Sequence, residues 1–193
     1  MSGSPRALTI WRSCAKHAQI AVVPESLLVW FNLFTDDPAG ARTRLSGRPV
    51  LLYEPPLEDE PDDDADEDYR LRTQSGIIMP AIGGGEPLAV VVEKSKENAF
   101  QKRITVGRTA NNDIVLDDQS VSRFHAYLQQ DDHQAWTLTD AGSRNGSFVA
   151  GRRIVARKAV ALANAVVVRI GAVQLTFFSA AGFLEILKKR AQG

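Results

Sequence analysis

One cysteine in 193 residues, Cys14, removes two classes of architecture at once. No intramolecular disulfide can form, and no zinc site can be built on cysteine pairs. Such a chain suits a reducing compartment. Long apolar runs are also missing. The most apolar stretch, residues 20–34, is broken by Pro24, Glu25, Ser26 and Asn32. A membrane-spanning helix needs about 20 mostly apolar residues, so no membrane association is expected. Arg6, Arg12 and Lys16 before this stretch and Ala39-Gly40-Ala41 after it imitate a secretory signal. Pro24-Glu25 inside the would-be apolar region speaks against export. An excess of one charge is absent too, with 23 basic and 23 acidic residues.

What is present is divided. Residues 1–86 hold eight Lys/Arg against fourteen Asp/Glu, and residues 87–193 hold fifteen against nine. A basic second half fits an anionic ligand, although each surface could simply solubilise its own region. Nine of the eleven residues at 58–68 are acidic. Such a block repels itself and buries nothing, so it reads as a linker. It lacks the glycine and terminal glutamate of a calcium loop, and no metal site is expected. Gly83-Gly84-Gly85 marks a second flexible point. The expected organisation is a mixed N-terminal region at 1–53, a linker at 54–86, a β domain at 87–178 and a C-terminal helix at 179–193.

Within the N-terminal region, Pro24 opens an expected helix running to Phe34. Its residues are apolar almost all round, so it needs burial on most sides. Asp36-Asp37-Pro38 and Gly40 should stop it. Residues 49–53 read as a short strand closed by Pro55-Pro56. No chemistry is evident here. From Leu88 onward, short β-branched runs alternate with turn signals at 89–93, 103–106, 113–116, 125–128, 136–139, 147–149, 166–170 and 173–178. Many short strands with no intervening helical pattern indicate an all-β sandwich or barrel. Residues 180–191 then carry Phe183, Ile186, Leu187 and Arg190 at helical spacing, with Lys188-Lys189-Arg190 in the last turn.

Three short elements at strand ends carry the chemistry. They are Gly107-Arg108, Ser122-Arg123-Phe124-His125 and Ser143-Arg144-Asn145-Gly146-Ser147. Loops at one end of a sandwich can converge on a ligand. Asn145-Gly146 alone signals a type I′ hairpin, whose two central residues need φ > 0. The turn Asp140-Ala141-Gly142 before it has no evident chemistry of its own. The arginines are more informative, because each lies beside small hydroxyl or amide residues. A phosphorylated threonine presents about −1.5 to −2 charges and three strong acceptor oxygens. Holding it takes guanidinium forks, hydroxyl donors and loop N–H groups, and Arg108, Ser122 and Asn145 supply those types. Each charge-assisted hydrogen bond contributes about 1.5–3 kcal/mol. Micromolar affinity corresponds to about 8 kcal/mol, so three or four such contacts with some packing suffice.

Gly107-Arg108, Ser122-x-x-His125-Ala126 and Asn145-Gly146, with residues 112–117 between them, resemble a forkhead-associated (FHA) domain, and a bacterial one. The resemblance is densest from Val106 to Gly151 and extends over about residues 87–178. It implies an eleven-strand β-sandwich that binds phosphothreonine peptides made by Ser/Thr kinases, with no cofactor and no nucleic acid. It implies that Arg108 and Ser122 contact the phosphate. Arg123 would lie near the phosphate or the peptide backbone, and Asn145 would hold the backbone with Arg144 adjacent. Gly107, His125 and Gly146 would be scaffold. Ser147 stands where threonine is usual, Ala150 where asparagine is common and Gln119 where proline is common. No acidic residue is evident to orient His125 towards Ser122, so a hydrolase is not expected. A phosphate-independent assembly protein on the same fold is the competing reading. A ligand made by kinases, the single cysteine and the broken signal together point to the cytoplasm. Tethered near a basic face, the acidic run would compete there at about millimolar effective concentration.

Overall fold

The computed structural model describes residues 24–55, 86–94, 100 and 102–192. Cys14, the acidic run at 58–68 and the glycine triplet at 83–85 lie outside the described residues. In chain order the elements are β1 (Glu25–Ser26), α1 (Leu27–Asp36), α2 (Pro38–Leu45), β2 (Val50–Tyr53), β3 (Leu88–Val91), β4 (Ile104–Gly107), β5 (Ile114–Val115) and β6 (Ala126–Gln130). They continue as β7 (Trp136–Asp140), β8 (Ser147–Val149), β9 (Arg152–Arg153), β10 (Val160–Ala161), β11 (Val166–Ile170), β12 (Val173–Phe178) and α3 (Ala180–Gln192).

The strands form two facing sheets. The larger has the order β1-β3-β2-β12-β11-β8-β9, and the smaller has the order β10-β7-β6-β4-β5. Every pair is antiparallel except β4–β5. Between the sheets, Leu51, Val106, Ala126, Leu128, Leu138, Val168, Ile170, Leu175 and Phe177 are all buried in one core. The expected sandwich with a C-terminal helix is the fold of the chain. It has twelve strands among the described residues rather than the eleven implied, ten at residues 88–178 and two, β1 and β2, from before the acidic run.

β2 explains why Val50-Leu51-Leu52-Tyr53 is apolar without alternation. A strand covered on both faces has no polar side. Leu51 and Tyr53 face the other sheet, whereas Val50 and Leu52 belong to a second cluster with Leu27, Trp30, Leu45, Phe178, Phe183 and Leu187. That cluster is the interface between the large sheet and a layer made by α1, α2 and α3. Trp30 meets Phe183 edge to face, with centroids 5.7 Å apart. Fully burying a side chain such as Phe183 or Leu187 stabilises the fold by about 1.5–3 kcal/mol each.

The helix caps follow from the sequence. Ser26 is the N-cap of α1, its Oγ accepting from the Leu28 N–H at 3.2 Å. The expected helix start at Pro24 is displaced because Glu25 and Ser26 pair with Ala89 and Leu88 instead. α1 is also less enclosed than its composition implies, with Leu28 55% and Val29 47% exposed. Asp37-Pro38 ends α1 but does not end helical structure. The Asp37 side chain accepts from the Gly40 N–H at 2.8 Å and caps α2, with Pro38 in its first turn.

Candidate functional site

The three sequence elements meet at one end of the sandwich. β4 delivers Gly107 and Arg108, the chain entering β6 delivers Ser122 and Arg123, and the crossover from β7 to β8 delivers Arg144 and Asn145. Arg108, Ser122, Arg123, Arg144 and Asn145 all line one open cavity of about 810 Å³. Among the described residues, none of the three arginines is in an ion pair. Three guanidinium groups without an ion-pair partner among the described residues make the concavity a ready seat for an anion.

The loops are tied to one another below this cavity. The Arg123 carbonyl accepts from Asn112 Nδ2 at 2.7 Å and from Thr109 Oγ1 at 2.9 Å. The Arg108 N–H donates to the Ser122 carbonyl at 3.0 Å. These bonds require close backbone approach, and Gly107 permits it. A Cβ at Gly107 would lie 2.3 Å from the Arg123 carbonyl oxygen. Ser122 Oγ accepts from the Arg144 N–H at 3.1 Å. Its own O–H has no acceptor among the described residues and is left to donate into the cavity. Asn145 Nδ2 donates to the Ser120 carbonyl at 2.7 Å, which fixes the amide at the rim.

His125 lies beneath, fully buried. Its Nδ1 accepts from the Ser122 N–H at 3.0 Å, and its Nε2 is 3.2 Å from the Gly146 carbonyl. An acceptor at Nδ1 and a carbonyl at Nε2 define the neutral tautomer carrying its proton on Nε2. Burial lowers the His125 pKa, against smaller opposing effects of the Gly146 carbonyl and the Asp140 charge. The imidazole therefore clamps the Ser122 loop to the Gly146 loop.

Two sequence expectations need correction. Asn145-Gly146 does not close a hairpin, because β7 and β8 belong to different sheets. Gly146 alone has a positive φ, of 78°. The two-residue hairpin is Ala150-Gly151, with φ of 49° and 75°, joining the paired strands β8 and β9. An acidic residue does approach His125, since Asp140 Oδ2 is 3.8 Å from Nε2. This is not a catalytic triad. The serine atom bonded to the ring is the Ser122 backbone nitrogen, and its hydroxyl points elsewhere.

Asp140, read from sequence as a turn residue only, organises the crossover. It accepts from Ser143 Oγ and Ser147 Oγ at 2.7 Å each, and from the Gly142 and Ser143 N–H groups at 2.8 and 2.9 Å. Burial pushes its carboxyl pKa up, but these four bonds outweigh burial and hold it below the usual value. Ser120 and Asn112 were likewise missed as bracing residues. Ser120 Oγ accepts from the Ala172 N–H at 2.7 Å, joining the β11–β12 turn to the site. Their signal in the sequence is weak, because short polar residues in turns are common.

Residues 104–171 match the family model described as FHA domain. The chain contains an FHA domain. The FHA family is one of phosphothreonine-binding modules. The chain is 32% identical over 109 residues to the glycogen accumulation regulator GarA of Mycobacterium tuberculosis, covering 51% of this chain and 65% of GarA. It thus spans less than two thirds of that relative's length. Among solved structures, it is similar to the FHA domain of an Arabidopsis thaliana hypothetical protein, at 18% identity and a TM-score of 0.43, covering 69% of this chain and 86% of that one. It is also similar to Mycobacterium tuberculosis EmbR in complex with a low-affinity phosphopeptide, at 26% identity and a TM-score of 0.40, covering 75% of this chain and 30% of that one. Among the described residues, no helix is long and apolar enough to cross a membrane.

Proposed function

We propose that this chain is a phosphothreonine-peptide-binding adaptor that recognises partners marked by a Ser/Thr kinase. The observation that carries the reading is the convergence of Arg108, Ser122, Arg123, Arg144 and Asn145 on one cavity with no acidic partner for the arginines among the described residues. In this reading Arg108 and the Ser122 O–H bind the phosphate oxygens. Arg123 supports the phosphate or the peptide backbone. Asn145 offers its free amide oxygen and remaining N–H to the backbone, with Arg144 beside it. Gly107, His125 and Gly146 hold the loops in register and touch no ligand.

The test is titration of the full chain with a degenerate phosphothreonine peptide library and its unphosphorylated twin. Selective micromolar binding is expected. Arg108→Ala should weaken it roughly 10- to 150-fold, the value of one charge-assisted bond or more. Partner binding that ignores both the phosphate and Arg108→Ala would favour a phosphate-independent assembly protein.

A further inference from the structure

Beside the cavity, the outer face of the smaller sheet carries an aromatic ladder that the phosphate site does not explain. Phe124 stacks on Tyr127 with centroids 6.5 Å apart and planes 6° apart. Phe100 also stacks with Phe124, at 6.0 Å and 7°. The Arg103 guanidinium lies 4.5 Å from the Tyr127 ring centroid. The register sets this face. Ala126 and Leu128 point into the core, so Tyr127 points out, beside Thr105 of β4. Two of the rings remain substantially open to solvent, Phe100 at 52% and Phe124 at 40%.

Contiguous exposed aromatic surface is unusual on a soluble domain and marks contact sites. Here it is continuous with the cavity, because Phe124 lies two residues after Ser122 and lines the cavity wall. The rings are already stacked, so a ligand that covers them orders little that is mobile. Arg103 at the end of the ladder adds a cation suited to an acidic group.

We propose that Phe124, Tyr127 and Phe100, with Arg103, form a specificity surface for the segment flanking the phosphothreonine of the partner. The segment would place an apolar or aromatic side chain on the ladder and an acidic side chain next to Arg103. This deepens the phosphothreonine reading and rests on it. Phosphate in the Arg108 cavity anchors the peptide, and the ladder selects among phosphorylated partners by sequence at a fixed offset on one side.

The test is a set of phosphothreonine peptides in which each flanking position is varied among Phe, Leu, Ala, Glu and Lys, measured against the full chain. Tyr127→Thr and Phe100→Ser lie outside the phosphate cavity, and Arg103→Glu reverses the charge at the ladder's end. The wild type should prefer an apolar residue at one fixed offset by about tenfold over alanine. Tyr127→Thr and Phe100→Ser should erase that preference while leaving affinity for the all-alanine phosphopeptide within twofold. Arg103→Glu should convert the adjacent preference from Glu to Lys. Identical flanking preferences in wild type and variants, or no flanking preference at all, would overturn the proposal. A preference that persists equally in unphosphorylated peptides would keep the ladder and remove the phosphothreonine reading, so the two failures are distinguishable.

Discussion

His125 is where local chemistry and ligand geometry meet. Its ring accepts from Ser122 at one nitrogen and faces the Gly146 carbonyl with the other, so both binding loops depend on a neutral imidazole. Burial lowers its pKa in the folded chain, whereas an unfolded histidine titrates near about 6.5. The unfolded state therefore binds the proton more readily, and stability falls as pH drops below about 6.5. Asp140 adds to the loss at lower pH. Its folded pKa is held below the usual carboxylate value, so its contribution is present above about 4 and disappears as pH falls through the folded value. The melting temperature should thus decline from pH 7.5 to pH 5. His125→Gln should melt lower than wild type at pH 7.5 but show a flatter profile over that range. A wild-type profile that is flat or rises on acidification would contradict this account of the clamp.

At the scale of elements, β2 is the decisive strand. It lies between β3 and β12 in the larger sheet, with Leu52 opposite both Ala89 and Thr176. Its side chains are buried on both faces, against the sandwich core and the helix layer. A chain cut to begin at residue 87 would split the larger sheet and expose the Phe177 and Phe178 side chains on its two faces. It should fail to unfold cooperatively in a thermal melt. A chain that keeps residues 24–55 and replaces residues 56–85 with a short turn should melt cooperatively, since Tyr53 and Leu88 are already paired neighbours. Equal cooperativity of the two would show that β2 is dispensable. The strand itself was legible from Val50-Leu51-Leu52-Tyr53, and so were most strands after Leu88. Its place in the sheet was not, because an acidic run of linker-like composition separates it in sequence from its partners. Strand pairing over such separations leaves no local trace. The site motifs were legible because Gly107-Arg108, Ser122-x-x-His125 and Asn145-Gly146 are short and depend on local backbone geometry. The Asp140 and Ser120 braces were not, because their role arises from contacts across loops.

Over the whole molecule, the architecture concentrates chemistry at one end. The β4–β5, β5–β6 and β7–β8 connections and the β11–β12 turn are joined there by Asn112, Ser122, His125 and Ser120. β2 finishes at that end as well, where burial and, after it, the Asp118 charge raise the Tyr53 phenol pKa. The opposite face of the larger sheet is closed by three helices, and the proposed recognition surfaces lie at the loop end and on the outer face of the smaller sheet. Electrostatic attraction at an exposed basic site is screened over about 8 Å at physiological ionic strength, so a phosphate ligand must reach the arginines directly. The most direct test follows the backbone amides of the full chain by ¹H–¹⁵N NMR during titration with a phosphothreonine peptide and its unphosphorylated twin. The amides of Arg108, Ser122, Arg123, Arg144 and Asn145 should shift saturably with the phosphorylated peptide alone. Saturable shifts confined to another part of the molecule, or the same shifts with both peptides, would contradict the assignment of this cavity as the phosphothreonine seat.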